Sequence, residues 1–190
     1  MNDPWPKIRE WLGGAWSQKD GVPDMALATA TNDGAPSVRM VSLRGLDDRG
    51  LRFFTHDGSR KTLELAANPR AAVVLHFAGT HRQLRVEGDV ERLPREAAAR
   101  YFAGRPRGAQ LSATVSRQDR PSPGIAALRR ELQRVDAELG DAAVPCPDDF
   151  IGYRIVPRVV ELWEGSDDRM HDRVQHRLVD GVWQCAALQP

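Results

Sequence analysis

The chain of 190 residues is short of cysteine, lysine and aromatic side chains. Its two cysteines, Cys146 and Cys185, lie far apart and form no CxxC pair. That excludes a disulfide framework and a cysteine-based zinc motif, and two reduced thiols are expected. Lysine occurs three times, at Lys7, Lys19 and Lys61, so arginine carries nearly all of the 27 basic residues. The 26 acidic residues leave a formal charge of +1, and no global basic field calls for nucleic acid. Any anion must be held by a local cluster. No apolar run approaches the ~20 residues of a membrane span. Met1 to Glu10 has no apolar stretch of the secretory type, so a cytoplasmic protein without a membrane partner is expected. There is no GxGxxG after a strand, no GxxxxGK, no HExxH and no GxSxG. His76 and His81, like His171 and His176, are five apart, which suits neither a helix face nor a strand face, so no metal is expected.

What is present reads as one soluble domain. Hydrophobic residues are 41% and charged residues 28%, enough to bury a core at this length. Residues 4–16 form an amphipathic helix pattern with Trp5, Ile8 and Leu12 on one face. Strand-like runs follow. Met25–Thr31 and Ser37–Arg44 flank an Asn32-Asp33-Gly34 hairpin signal, and Leu51–His56 comes after Asp47-Asp48-Arg49-Gly50. Ser59–Ala67 reads as a helix, with Ser59 as N-cap and Asn68-Pro69 as the stop. Ala71–Phe77 and Gln83–Leu93 are strands. Pro94–Ala103 is helical with Pro94 near its first position. Arg105–Pro123 is a polar connection, and Gly124–Leu139 a charged helix. Ile151–Trp163, Arg169–Leu178 and Val182–Leu188 close the set, the last two joined by Asp180-Gly181. Many short strands with hairpin turns and outlying helices predict a β-barrel with helical additions.

Four groups of residues suit anion chemistry. In Arg169-Met170-His171-Asp172-Arg173, strand alternation places Arg169, His171 and Arg173 on one face. The cluster reads either as an anion or aromatic site or as a solvated basic edge strand. Ser59-Arg60-Lys61 puts two cations at a helix start, where free N–H groups and the dipole favour a phosphate; an exposed helix start is the alternative. Arg39 and Arg44, at odd spacing on one strand, face opposite ways. Tyr101 and Arg105, four apart across a helix end, can reach one site.

Taken in order, RMVSLRG (39–45), FFTHDGSRK (53–61), RQLRVEG (82–88), YFAGRPRG (101–108), ELWEG (161–165) and RMHDR (169–173) resemble the pyridoxamine 5′-phosphate oxidase family from about Trp5 to Pro190. The resemblance implies a mainly β, FMN-binding split β-barrel with peripheral helices, one domain over residues 1–190, and a homodimer with its dimerisation segment at about 150–190. It implies an oxidase of vitamin B6 metabolism that converts pyridoxamine or pyridoxine 5′-phosphate to pyridoxal 5′-phosphate with O2, releasing hydrogen peroxide. Carried over by position, the FMN contacts are Arg39, Met40, Val41, Ser42, Leu43, Arg44, Phe54, Thr55, Arg60, Lys61, Gln83, Gln118, Trp163 and Arg173. Those to the phosphopyridine are Arg44, Tyr101, Arg105, Arg169 and His171, with Arg169 and His171 beside the reacting ring in the catalytic role.

The chain also departs from the family pattern. Arg44 stands for the usual Lys, and its fork of donors reshapes a phosphate pocket. Ala109 stands for a Ser, Thr114 for a Trp, and Asp119 for a small hydroxyl residue next to Gln118 near the expected flavin. The chain begins almost at its first helix, without the longer N-terminal arm of well-known members. These changes gather on the substrate side, so a related flavin oxidase of the phenazine-biosynthesis kind, or a non-catalytic binder of FMN or pyridoxal phosphate, stands as an alternative.

Overall fold

The computed structural model describes residues 2–16 and 23–190. In chain order the elements are α1 (Trp5–Trp16), β1 (Asp24–Ala30), β2 (Pro36–Ser42), β3 (Gly45–Asp47), β4 (Gly50–His56), α2 (Arg60–Ala67) and β5 (Arg70–Phe77). They continue with β6 (Arg82–Arg92), α3 (Arg95–Ala103), α4 (Arg107–Val115), α5 (Ile125–Leu139), β7 (Phe150–Glu164), β8 (Asp172–Val179) and β9 (Val182–Ala187). The chain forms two compact units. One takes in the chain up to Phe53, Glu64–Glu91 and Arg154–Pro190; the other is Phe54–Leu63 with Arg92–Tyr153.

The first unit is built on an antiparallel sheet in the order β2-β1-β5-β6-β7-β4-β3, extended by β8 on β7 and β9 on β8. Period-two burial shows why these segments are strands: Met25, Leu27 and Thr29 of β1 are buried and their neighbours half-exposed. Ile8 and Leu12 of α1 are fully buried, as its spacing requires. The β8–β9 hairpin turns on Asp180-Gly181, both at positive φ (50° and 77°), the two-residue turn that matches strand twist. Gly88 on β6 marks a close approach. A Cβ there would lie 2.0 Å from the Val156 carbonyl oxygen of β7. Gly88→Ala is therefore expected to destabilise the protein by about 3 kcal/mol, a Tm loss of about 6–12 °C in thermal denaturation. An unchanged Tm would contradict that packing.

The second unit has its own core: Ala98, Phe102, Leu111, Ala113, Val144 and Phe150, with Leu132, Val135 and Leu139 of α5 packed against it. The other face of α5 is exposed and carries the Arg134–Glu131 and Arg134–Glu138 ion pairs.

The sequence reading needs correction in four places. The connection expected over Arg105–Pro123 contains a helix, α4, with Pro106 at its N-cap position. The three-residue β3 was not expected. β2 ends at Ser42, so Arg44 lies beyond the strand and the opposite-face argument for Arg39 and Arg44 does not apply. β8 begins only at Asp172, and Arg169 sits in a turn with φ 68°.

Candidate active site

In the second unit, β4 delivers Phe54 and Thr55 into a tight turn that opens α2. Lys61 is buried, and a buried ammonium is costly unless it is well hydrogen-bonded. Its Nζ donates to Thr55 Oγ1 (3.2 Å) and Ser59 Oγ (3.0 Å). Thr55 Oγ1 in turn donates to Gln118 Oε1 at 2.9 Å. Ser59 occupies the position before α2, but its hydroxyl donates to the His56 carbonyl at 3.0 Å. The amide of Arg60 instead donates to Asp119 Oδ2 at 2.7 Å. An oxyanion thus already sits at the positive end of α2.

The same unit brings Phe54 and Tyr101 together as stacked rings, centroids 4.0 Å apart and 8° from parallel. α3 ends at Ala103, and Arg105 follows with its guanidinium 5.2 Å from the centroid of Phe150 and 5.9 Å from that of Phe102. These faces hold a planar cation in place.

In the first unit, β7 and β8 set Trp163 opposite Arg173 in the ladder. The His171 ring lies against Trp163, centroids 4.7 Å apart. The Ser166 amide donates to His171 Nδ1 at 3.1 Å, so the neutral imidazole carries its proton on Nε2 and offers a donor there. The turn before it is shaped by Asp168, which accepts from the Met170 amide at 2.9 Å and from the Ser166 hydroxyl. The Ser166 hydroxyl, then the Met170 amide, hold the Asp168 carboxyl below its ordinary pKa. Arg173 Nε donates to the buried Glu161 carboxylate at 3.0 Å, and its NH1 to the Gln189 carbonyl at 2.8 Å. Arg85 lies 3.5 Å from the same carboxylate and donates to Gln83 Oε1 at 3.1 Å.

Arg39, also in the first unit, donates to the Leu27 carbonyl (3.1 Å), to Thr29 Oγ1 and to Ser37 Oγ. All three side chains converge on the buried carboxylate of Glu64, with Ser37 Oγ at 2.6 Å and Arg39 NH2 at 3.4 Å. Met40 and Arg44 are exposed, Val41 and Ser42 half-buried, and Leu43 fully buried. An open groove of about 650 Å³ in this unit is lined by Thr29, Asn68, Arg70, Gly88 and Arg158 among others. None of the expected site residues lines it.

The expected residues thus fall into four local sets: Thr55, Lys61 and Gln118; Phe54, Tyr101 and the nearby Arg105; Gln83, Trp163, His171 and Arg173; and Arg39 with its network. The alternation argument for Arg169, His171 and Arg173 fails, because two of the three precede the strand. Trp163 joins His171 to Arg173 instead, and Arg169 is exposed in the turn. Sequence reasoning missed Glu161, Arg85, Asp168 and Glu64. Glu161 stands two residues before Trp163 on one strand, so alternation could have found it.

Among the described residues no group of three or more His, Cys, Asp or Glu could hold a metal ion, and no helix is long and apolar enough to cross a membrane. Residues 19–138 match the family model described as pyridoxamine 5′-phosphate oxidase. Residues 150–190 match the pyridoxine 5′-phosphate oxidase C-terminal dimerisation region. The chain is 43% identical over 190 residues to the pyridoxine/pyridoxamine 5′-phosphate oxidase of Cupriavidus taiwanensis, covering 99% of this chain and 89% of the relative. It is 44% identical over 193 residues to the enzyme of that name from Salinibacter ruber, covering 100% and 90%. Among solved structures, PhzG from Burkholderia lata 383, in complex with tetrahydrophenazine-1-carboxylic acid, aligns with a TM-score of 0.92 at 31% identity. That alignment covers 100% of this chain and 94% of the other. A pyridoxamine 5′-phosphate oxidase-related, FMN-binding protein from Nostoc punctiforme aligns over both whole chains with a TM-score of 0.81 at 21% identity and shares the fold.

Proposed function

The chain belongs to the pyridoxamine 5′-phosphate oxidase family, and from that premise we propose that it is an FMN-dependent oxidase producing pyridoxal 5′-phosphate from pyridoxamine or pyridoxine 5′-phosphate. Its fold is the mainly β split barrel with peripheral helices. Pyridoxine phosphate and O2 would give the aldehyde and H2O2; the amine substrate would consume a water as well and release ammonia.

The residues present fit a flavin mononucleotide. A single phosphate suits the start of α2, where the Arg60 amide already donates to an oxyanion and the buried Lys61 amine stands one residue on. In the second unit Arg60, Lys61, Thr55, Gln118 and Phe54 are the proposed cofactor contacts. In the first unit they are Gln83, Trp163, Arg173 and the segment from Arg39 to Arg44. Bound FMN supplies two-electron redox chemistry with dioxygen as the terminal acceptor. The chain's own work is binding and orientation. Arg105, fixed over two phenyl faces, and Tyr101 would anchor the substrate phosphate. His171, fixed as an Nε2–H donor, and Arg169 would orient the pyridine. Remote phosphate binding can then be spent on alignment at the reacting carbon. A homodimer is proposed as the working form, on the match of residues 150–190 to a dimerisation region.

The observation that carries this reading is the constrained His171, whose tautomer and ring position are set by Ser166 and Trp163. One specific feature favours a second reading, a flavin oxidase with an unphosphorylated substrate. At Ala109, half-buried in α4, the expected hydroxyl is missing. The FMN-loaded protein is expected to consume O2 and release peroxide with both B6 phosphates, and mass spectrometry of the released cofactor should find FMN. FAD as the main species, or O2 uptake only with unphosphorylated substrates, would overturn the proposal.

A further inference from the structure

Asp119 takes the position at the start of α2 that suits an external anion. Its Oδ2 accepts the Arg60 amide at 2.7 Å, although the two residues are 59 apart in sequence. The contact is built by the loop after α4. Gln118 is tied to Thr55, and Asp119 follows with φ 63°, a left-handed backbone that turns its side chain onto the helix. Asp119 is exposed, so the carboxylate is held by this bond and the helix dipole, with no burial to lock it there. The first-turn amide can serve one acceptor well at a time, and a carboxylate beside a phosphate is a like-charge pair.

We propose that Asp119 is an internal anion that competes with the flavin phosphate for the N-terminus of α2, and so sets cofactor affinity. The inference rests on the FMN reading given above. FMN binding at this amide then requires the carboxylate to swing away, giving up its charge-assisted hydrogen bond to Arg60. A flavin without a phosphate makes no such demand. Asp119 thereby discriminates between phosphorylated and unphosphorylated flavins less sharply than a neutral residue would. The opposite account makes Asp119 a plain helix cap, whose loss would weaken the fold and improve nothing.

The test compares the full-length protein with Asp119→Asn and Asp119→Ser, after removal of bound flavin. Asparagine tolerates the left-handed backbone and keeps an acceptor oxygen, so only the charge is removed. Serine supplies a hydroxyl in its place. Dissociation constants for FMN and for riboflavin are read from quenching of flavin fluorescence, with far-UV circular dichroism as the check on folding. FMN is expected to bind Asp119→Asn about tenfold more tightly than the wild type. Asp119→Ser should shift the same way, and riboflavin should bind all three proteins alike. An unchanged FMN constant in a folded Asp119→Asn, or an equal gain for riboflavin, would overturn the inference and leave the FMN reading standing. Failure of FMN to bind any of the three would overturn that reading and this inference together.

Discussion

Replacing His171 by alanine is expected to lower kcat for pyridoxine 5′-phosphate by about 100-fold. FMN affinity should change by no more than about threefold, since the role proposed for the imidazole is substrate orientation. The imidazole is unusually constrained for a half-exposed side chain. Trp163 fixes its plane, and the Ser166 amide fixes which nitrogen carries the proton. A donor already aligned costs little ordering when the substrate arrives, so its removal should show in kcat more than in KM. His171→Gln, which returns a donor on a flexible stem, should recover a minor part of the loss. Stopped-flow reduction of the bound flavin under anaerobic conditions reads the step directly. If His171→Ala bound FMN more weakly yet reduced the bound flavin at the wild-type rate, the residue would be a packing partner of Trp163 and no more.

Arg105→Ala is the second large effect. Removing a charge-assisted contact to a phosphate is worth roughly 1.5–3 kcal/mol, so kcat/KM for pyridoxine 5′-phosphate should fall by about 10- to 150-fold. The loss must depend on the phosphate. Unphosphorylated pyridoxine, a very poor substrate on this account, should be turned over equally by both proteins. Arg105→Lys should recover activity only in part, because a lysine lacks the planar fork that lies on Phe102 and Phe150. Those ring contacts also mean that Arg105→Ala will cost some stability, so its Tm has to be measured beside its kinetics. Equal losses for both substrates would point to structural damage and against a phosphate anchor.

The sequence reading succeeded where local chemistry decides. The Asp180-Gly181 turn, the Asn68-Pro69 stop after α2 and the amphipathic pattern of α1 depend on neighbours in the chain, and α1 and α2 lie within a residue of their expected bounds. α4 was lost because Arg107–Val115 is rich in small and polar residues, with only Leu111 and Ala113 buried. The start of β8 was misplaced because period-two spacing in Arg169–Arg173 imitates a strand. A local hydrogen bond overrides it: Asp168 captures the Met170 amide and turns the chain. Glu64 was invisible for another reason. Its partners Thr29, Ser37 and Arg39 lie 25 to 35 residues away, and only sheet register brings them together. The expected site residues were chosen as residue types, through the order of family motifs; groupings such as Thr55 with Gln118 depend on contacts distant in sequence.

Anaerobic single-turnover reduction of the FMN-loaded protein tests the central claim most directly. Pyridoxine 5′-phosphate or pyridoxamine 5′-phosphate should bleach the bound flavin fully, with one pyridoxal 5′-phosphate formed per flavin, and unphosphorylated pyridoxine should do so far more slowly. A flavin that stays oxidised with both phosphates, yet is reduced by an unphosphorylated tricyclic substrate, would contradict the account.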